Sequence, residues 1–196
     1  MKRLIFATNN KHKLQEVSEM LNGIVEVVSL SDVGLQGDIP ETADTLQGNA
    51  LQKAQWVYER TGNDCFADDT GLEVDALGGA PGVYSARYAG EHCSFDDNIN
   101  KLLGALEKSE NRKADFRTVI CLIEGGEPVY FEGRVDGVIL RERHGHDGFG
   151  YDPVFMPDRF AVSFAEMPLE VKNQISHRGL ATQKLVAYLR QRHEIE

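Results

Sequence analysis

The chain has 196 residues, 41% of them hydrophobic and 27% charged, which is ordinary globular usage and excludes disordered and fibrous classes. Against 31 Asp and Glu stand 21 Lys and Arg, and the net charge of −10 has the wrong sign for a general nucleic-acid or anionic-membrane binder. A polyanionic ligand would therefore need a few local cations, and a metal, to overcome the overall field. The first apolar run, Leu4 to Ala7, is far short of a signal-peptide core, and no apolar segment is long enough to span a bilayer. Cys65, Cys93 and Cys121 are odd in number and form no C-x-x-C pair, so three ordinary thiols in a reducing cytoplasm are expected rather than a disulfide framework or a zinc site.

In chain order, Leu4 to Ala7 reads as a buried strand and is followed by a helix. Leu14, Val17 and Leu21 recur at helical spacing in that helix, Asn9 or Asn10 can cap it, and Gly23 can end it. Ile24 to Leu30 reads as a second strand, and Ser31 to Asp44 as a loop containing Pro40. A second helix is predicted from about Leu46 to Arg60, with Leu46, Ala50, Ala54 and Val57 on one face, stopped by Thr61-Gly62. Asp64 to Ala67 leads into a short strand ending at Asp68-Asp69-Thr70-Gly71, and a glycine-rich turn follows at Leu77 to Gly82. Ser94 caps a helix carrying Ile99, Leu102, Leu103 and Leu106. Phe116 to Ile123 and Val129 to Leu140 are β-rich runs joined by Glu124-Gly125-Gly126-Glu127, a hairpin signal. A second glycine-rich loop, Gly145 to Gly150, precedes a short helix near Pro168 and a longer one over roughly Gly179 to Arg192. The alternation predicts one α/β domain spanning the chain, a mixed β-sheet flanked by helices, with two lobes around a central substrate cleft.

Several groupings carry chemistry. The crossing Thr8-Asn9-Asn10-Lys11-His12-Lys13 offers the unpaired amides and positive end of a helix, short polar side chains and two lysines, a combination suited to phosphate; a plain capped helix with solvated lysines has the same pattern. Asp68-Asp69 places adjacent carboxylates on a strand, where they repel each other unless cations or donors intervene. Such oxygen ligands suit Mg²⁺, although an Asx-rich turn would also account for them. An aspartate-nucleophile phosphatase also uses a carboxylate pair, but needs two acids spaced to point alike, which adjacent residues do not supply. The loop Gly145-His146-Asp147-Gly148-Phe149-Gly150 departs from the dinucleotide fingerprint, and no P-loop occurs. Phe149 and Tyr151 have the shape to stack on a base, and Lys172 with Ser176-His177-Arg178-Gly179 gathers cations between the last two helices.

Taken in order, the stretches Ala7 to Lys13, Phe66 to Leu72, Gly78 to Tyr88, Gly148 to Phe155, Phe164 to Met167, Lys172-Asn173 and Ile175 to Gly179 resemble the non-canonical purine nucleoside triphosphate pyrophosphatases. This is the inosine/xanthosine triphosphate pyrophosphatase family, and the likeness runs nearly end to end. It implies Mg²⁺-dependent hydrolysis of ITP, dITP and XTP to the monophosphate and pyrophosphate, by a cytoplasmic homodimer without nucleic-acid or membrane partners. By that likeness Asp69 is the catalytic base and the metal-associated acid, and Asp68 is its supporting neighbour. Thr8, Asn9, Asn10, Lys11, His12 and Lys13 hold the triphosphate, and Thr70 adds a substrate contact. Phe149, Gly150, Tyr151 and Asp152 form the nucleoside pocket, which Lys172, His177 and Arg178 complete. One departure stands out. Many relatives carry a Glu before the Asn-Ala of the second helix, where it can help hold metal, whereas this chain has Gly48 before Asn49-Ala50, leaving Glu41 or Asp44 of the preceding loop, or water, to take that place.

Overall fold

The opening of the chain follows the predicted alternation in a computed structural model that describes residues 1–194. Strand β1 (Arg3–Phe6) leads to α1 (Lys11–Leu21), β2 (Glu26–Val28), α2 (Leu46–Thr61) and β3 (Cys65–Val74). β1 pairs in parallel with both β2 and β3, a geometry that needs crossover helices such as α1 and α2. The chain continues through β4 (Pro81–Gly82), α3 (Phe95–Ala105), β5 (Lys113–Glu124), β6 (Glu127–Ile139), β7 (Phe155–Pro157), α4 (Leu169–Ile175) and α5 (His177–His193). The sheet order is β2-β1-β3-β5-β6-β7, with β4 on β3; β4 and β7 are antiparallel to their partners, so the sheet is mixed. This is the predicted α/β class.

Two compact units share the chain. The first comprises Met1–Asp69, Thr118–Gly133 and the chain from His177 onward; the second comprises Thr70–Arg117 and Arg134–Ser176. In the first, Leu4 and Phe6 of β1, Val17 and Leu21 of α1, Phe66 of β3, and Ala181, Leu185 and Leu189 of α5 form one apolar core. Phe6 and Phe66 stack with ring centroids 4.4 Å apart. In the second, Leu72 and Val74 of β3, Ile99 and Leu102 of α3, and Phe116, Phe155 and Phe164 make the core.

Among the boundaries that differ from the sequence reading, three have a clear local reason. β2 is shorter than Ile24 to Leu30 because the amides of Ile24 and Val25 both turn back to the Leu21 carbonyl, closing α1, while Leu30 opens a 3-10 turn. β3 is longer: Leu72 and Val74 are fully buried, and β4 pairs with Leu72 and Glu73, so Asp68-Asp69 lies inside a strand rather than at its end. α5 begins at His177 rather than Gly179, which puts His177 and Arg178 in its first turn. The β5–β6 hairpin turns on Gly125 and Gly126, with φ of 61° and 88°, a two-residue loop of left-handed residues that glycine supplies without strain.

Gly133 of β6 faces the start of α5. A Cβ there would collide with the His177 carbonyl and come within 2.6 Å of the Ala181 amide, so the missing side chain lets the helix start lie against the strand. The three cysteines are free; Cys65 and Cys121 are buried, and burial pushes both thiols up to about 12. No helix among the described residues is long and apolar enough to cross a membrane.

Candidate active site

At the end of β1 the chain makes a polar turn into α1. Thr8 Oγ1 accepts the Asn10 amide at 3.0 Å, and Asn10 Oδ1 caps the helix by accepting from the amides of His12 at 3.0 Å and Lys13 at 3.2 Å. Asn9 Nδ2 donates to the Gly37 carbonyl at 3.0 Å. The cap thus satisfies two first-turn amides that would otherwise be open to an anion. Lys11 and His12 are exposed, whereas Lys13 turns inward, its side chain 14% exposed and its Nζ 3.1 Å from Asp68 Oδ1.

Adjacent residues on a strand point to opposite faces, and the two aspartates accordingly meet different surroundings. Asp68 is 1% exposed and is held by two cations: Lys13 on Oδ1, and Arg178 Nε on Oδ2 at 3.1 Å. Burial alone would raise its pKa, but the charges of Lys13, Arg178 and Lys53 win and hold the carboxyl well below the usual carboxylate range. Arg178 is itself anchored from behind, its Nη1 donating to buried Glu16 Oε2 at 3.0 Å.

Asp69 is pushed the other way. Burial raises its carboxyl above the ordinary value and the nearby Glu41 adds to the rise, while Lys53, Lys13 and the Asn49 amide oppose them without prevailing. Asn49 Nδ2 donates to Asp69 Oδ2 at 3.1 Å, and Asn49 Oδ1 accepts the Ala43 amide at 2.9 Å, which ties helix, loop and carboxylate together. Lys53, one turn further along α2, pairs with Glu41 Oε1 at 2.6 Å. The two neighbouring carboxyls are thus driven apart, Asp68 held as an anion and Asp69 raised in proton affinity.

Three members of this group, Glu16, Asn49 and Lys53, are absent from the motif-based set, and Glu41 entered it only as a substitute for the missing acid at Gly48. The available signal was the pattern of α2: Asn49 and Lys53 are spaced i, i+4 on the stripe otherwise made of Leu46, Ala50, Ala54 and Val57. The Gly48 question also has a steric answer. A Cβ at Gly48 would press on Ala43 Cβ at 2.8 Å and Thr45 Oγ1 at 2.9 Å, whereas Glu41 on the same loop already interacts with Asp69.

Among the described residues no three or more His, Cys, Asp or Glu side chains are grouped to hold a metal unaided. Asp69, with Glu41 close enough to influence its charge, instead offers the one or two carboxylates with which Mg²⁺ is typically held when water and substrate phosphates complete its shell. The donor set fits that ion.

In the second unit a different group forms around Asp152. Its Oδ2 accepts from the Phe149 amide at 3.0 Å and from Lys172 Nζ at 2.6 Å, with Asp152 4% and Lys172 2% exposed. Lys172 Nζ also lies 5.0 Å from the Phe149 ring centroid. Gly148 has no room for a Cβ, which would collide with the Asp152 carboxylate, and Gly150 takes a φ of 61°. Tyr151 belongs to the core; its hydroxyl donates to the Ser85 carbonyl at 2.6 Å, and burial pushes its pKa up. Thr70, half-buried, continues β3 directly from Asp69.

The expected residues therefore sort into two sets. Thr8, Asn9, Asn10, Lys11, His12, Lys13, Asp69, His177 and Arg178 belong to the first unit with Asp68, and Thr70, Phe149, Gly150, Tyr151, Asp152 and Lys172 to the second. Arg178 has its guanidinium between Asp68 and Glu16, an inner position that supports the strand aspartate.

A model of the Ham1 family matches residues 4–188. The chain is 58% identical over 190 residues to the dITP/XTP pyrophosphatase of Porphyromonas gingivalis, covering 96% of this chain and 98% of that protein. It is 54% identical over 187 residues to the dITP/XTP pyrophosphatase of Flavobacterium johnsoniae, covering 95% and 97%. The structure superposes on the Staphylococcus aureus Ham1 protein with a TM-score of 0.87 at 38% identity, over 97% of this chain and 100% of that one. A HAM1 protein from Coxiella burnetii gives a TM-score of 0.89, with the same identity of 38% and the same coverage of 97% and 100%.

Proposed function

The chain belongs to the Ham1 family, and from that premise we propose that it is a nucleoside triphosphate pyrophosphatase hydrolysing non-canonical purine nucleotides, ITP, dITP and XTP, to the monophosphate and pyrophosphate. The observation that carries the reading is the different setting of the two strand aspartates: Asp68 is bonded to Lys13 and Arg178, while Asp69 is held by the Asn49 amide and has its other carboxylate oxygen clear of those two cations. The names carried by the relatives agree with it.

In the proposed reaction a water molecule attacks the α-phosphorus, the bond from that phosphorus to the bridging oxygen breaks, and pyrophosphate leaves with the electron pair. Asp69 takes the proton of the attacking water. Asn49 fixes the Asp69 carboxylate through Oδ2. Lys13 and Lys53 supply positive charge against the triphosphate, offsetting what the overall charge of −10 opposes. Asp69 and Glu41 would hold Mg²⁺, which when bound supplies charge neutralisation at the phosphate oxygens.

Recognition of the base falls to the second set. An ammonium beside a carboxylate, as in Lys172–Asp152, pairs a donor with an acceptor; a 6-oxopurine edge presents O6 and N1–H to match, whereas adenine presents the reverse. Phe149 offers the ring face for stacking. Thr8, Asn9, Asn10, Lys11 and His12 contribute polar groups around the triphosphate, His177 adds a buried imidazole, and the protein acts as a cytoplasmic homodimer.

The test is a product assay on the purified chain with Mg²⁺ and ITP, dITP, XTP, GTP or ATP offered separately. Pyrophosphate from the 6-oxo non-standard purines, with little from ATP, is expected. Release of orthophosphate, or no turnover of any of them, overturns the proposal.

A further inference from the structure

Phe149, the ring assigned above to base stacking, sits on a loop with Gly145, Gly148 and Gly150 all at positive φ, whose backbone is pinned where the Asp147 amide donates to the Ala165 carbonyl and the Asp152 amide to the Phe149 carbonyl. Two side chains further connect this loop to one place, the first turn of α3. Arg143 Nη2 donates to the Asp96 carbonyl at 3.3 Å and to Asn100 Oδ1 at 2.8 Å, and lies 3.3 Å from Asp96 Oδ1. Phe95, the first residue of α3, sets its ring against Phe149 with centroids 6.1 Å apart and planes tilted by 47°. That turn of α3 is itself rigid, since Ser94 and Asp97 form a reciprocal capping box.

Phe95 is out of place by ordinary rules. It is 47% exposed at a helix start where Asp96 and Asp97 follow, a position that favours polar and acidic residues. Its ring meets Phe149, and the Lys172 ammonium, bonded to Asp152, also lies against Phe149. Helix turn, ring, ring and cation thus form one continuous line of contacts. We propose that Phe95 is a positioning residue for purine recognition, bracing the Phe149 ring while Arg143 anchors the same loop to the same turn of α3. The inference rests on the assignment of Phe149, Asp152 and Lys172 to the base.

The test compares the parent with Phe95→Ser, Phe95→Tyr and Arg143→Gln, measuring KM and kcat for ITP, inhibition constants for IMP and for pyrophosphate, and thermal unfolding. An aromatic contact of this kind corresponds to about a 3- to 10-fold effect on binding. Phe95→Ser should raise the KM for ITP and the inhibition constant of IMP by that factor, with kcat, the pyrophosphate constant and the unfolding temperature unchanged. Phe95→Tyr, which keeps the ring, should restore the parent values, and Arg143→Gln should follow Phe95→Ser. An unchanged IMP constant in Phe95→Ser, or an equal weakening of IMP and pyrophosphate, overturns the inference while leaving the proposed function intact. A parent that releases no pyrophosphate from ITP overturns both.

Discussion

Substituting Asp68 and Asp69 by asparagine, one at a time, removes the same charge from neighbouring positions of one strand with almost no change of shape. The two variants should nevertheless behave oppositely. Asp68 is folded with its pKa depressed, so its charged form stabilises the native state; that contribution is present above the unfolded carboxylate value of about 3.9 and is lost only as pH falls through the lower folded value. Asp68→Asn at pH 7 leaves Lys13 and Arg178 buried without their shared anion, a change that typically costs about 3–5 kcal/mol. For a chain of this size that amounts to a Tm lower by about 6–20 °C. Asp69 has its pKa raised, so its charged form is a burden to the fold near neutrality, and Asp69→Asn should hold or increase Tm while abolishing turnover. The assay is thermal unfolding of both variants at pH 7 without added metal, beside pyrophosphate release with Mg²⁺. An Asp68→Asn variant melting within a degree or two of the parent would refute the reasoning, as would an Asp69→Asn variant that retains turnover.

Other expectations follow from the same geometry. Lys13→Ala removes a charge-assisted contact worth about 1.5–3 kcal/mol, so KM for ITP should rise about 10- to 150-fold in steady-state assays; an unchanged KM would separate Lys13 from the triphosphate. Gly133→Ala forces a methyl group into the backbone of α5 and should cost at least about 1–3 kcal/mol, read as a lower urea midpoint, whereas an unchanged midpoint would mean that strand and helix are not in close contact. In the second unit the Asp115 carboxyl is raised to about 6 by burial and by Glu73 beside it. Raised in the fold, this acid withdraws stability as pH climbs from about 4, its unfolded value, to about 6. The parent Tm measured against that of Asp115→Asn should therefore fall across this window and run parallel above it; a constant difference would contradict the shift.

Much of the fold was legible because it depends on local pattern. The stripe Leu46, Ala50, Ala54 and Val57 gives α2, the Ser94 cap gives α3, and the Gly125-Gly126 pair gives the hairpin. The end of β3 was not, because Leu72 and Val74 continue the strand by burial in a core assembled from α3 and β5. The same division holds at the site. The adjacent aspartates are visible in the sequence, but which one stays charged is decided by Lys13 and Arg178, 55 and 110 residues away from Asp68. Glu16, Asn49 and Lys53 look like routine helix residues until folding buries them on apolar faces. Arg178 shows the limit of reading cations as ligand contacts, since its guanidinium is bonded to Asp68 and Glu16.

The central claim is that water, deprotonated by Asp69, attacks the α-phosphorus. Turnover of ITP in ¹⁸O-enriched water, with mass analysis of both products, tests it most directly. The label should appear in the inosine monophosphate and be absent from the pyrophosphate. Label in pyrophosphate would place the attack on the β-phosphorus, and label in orthophosphate on the terminal one; either would contradict the mechanism derived from the aspartate pair.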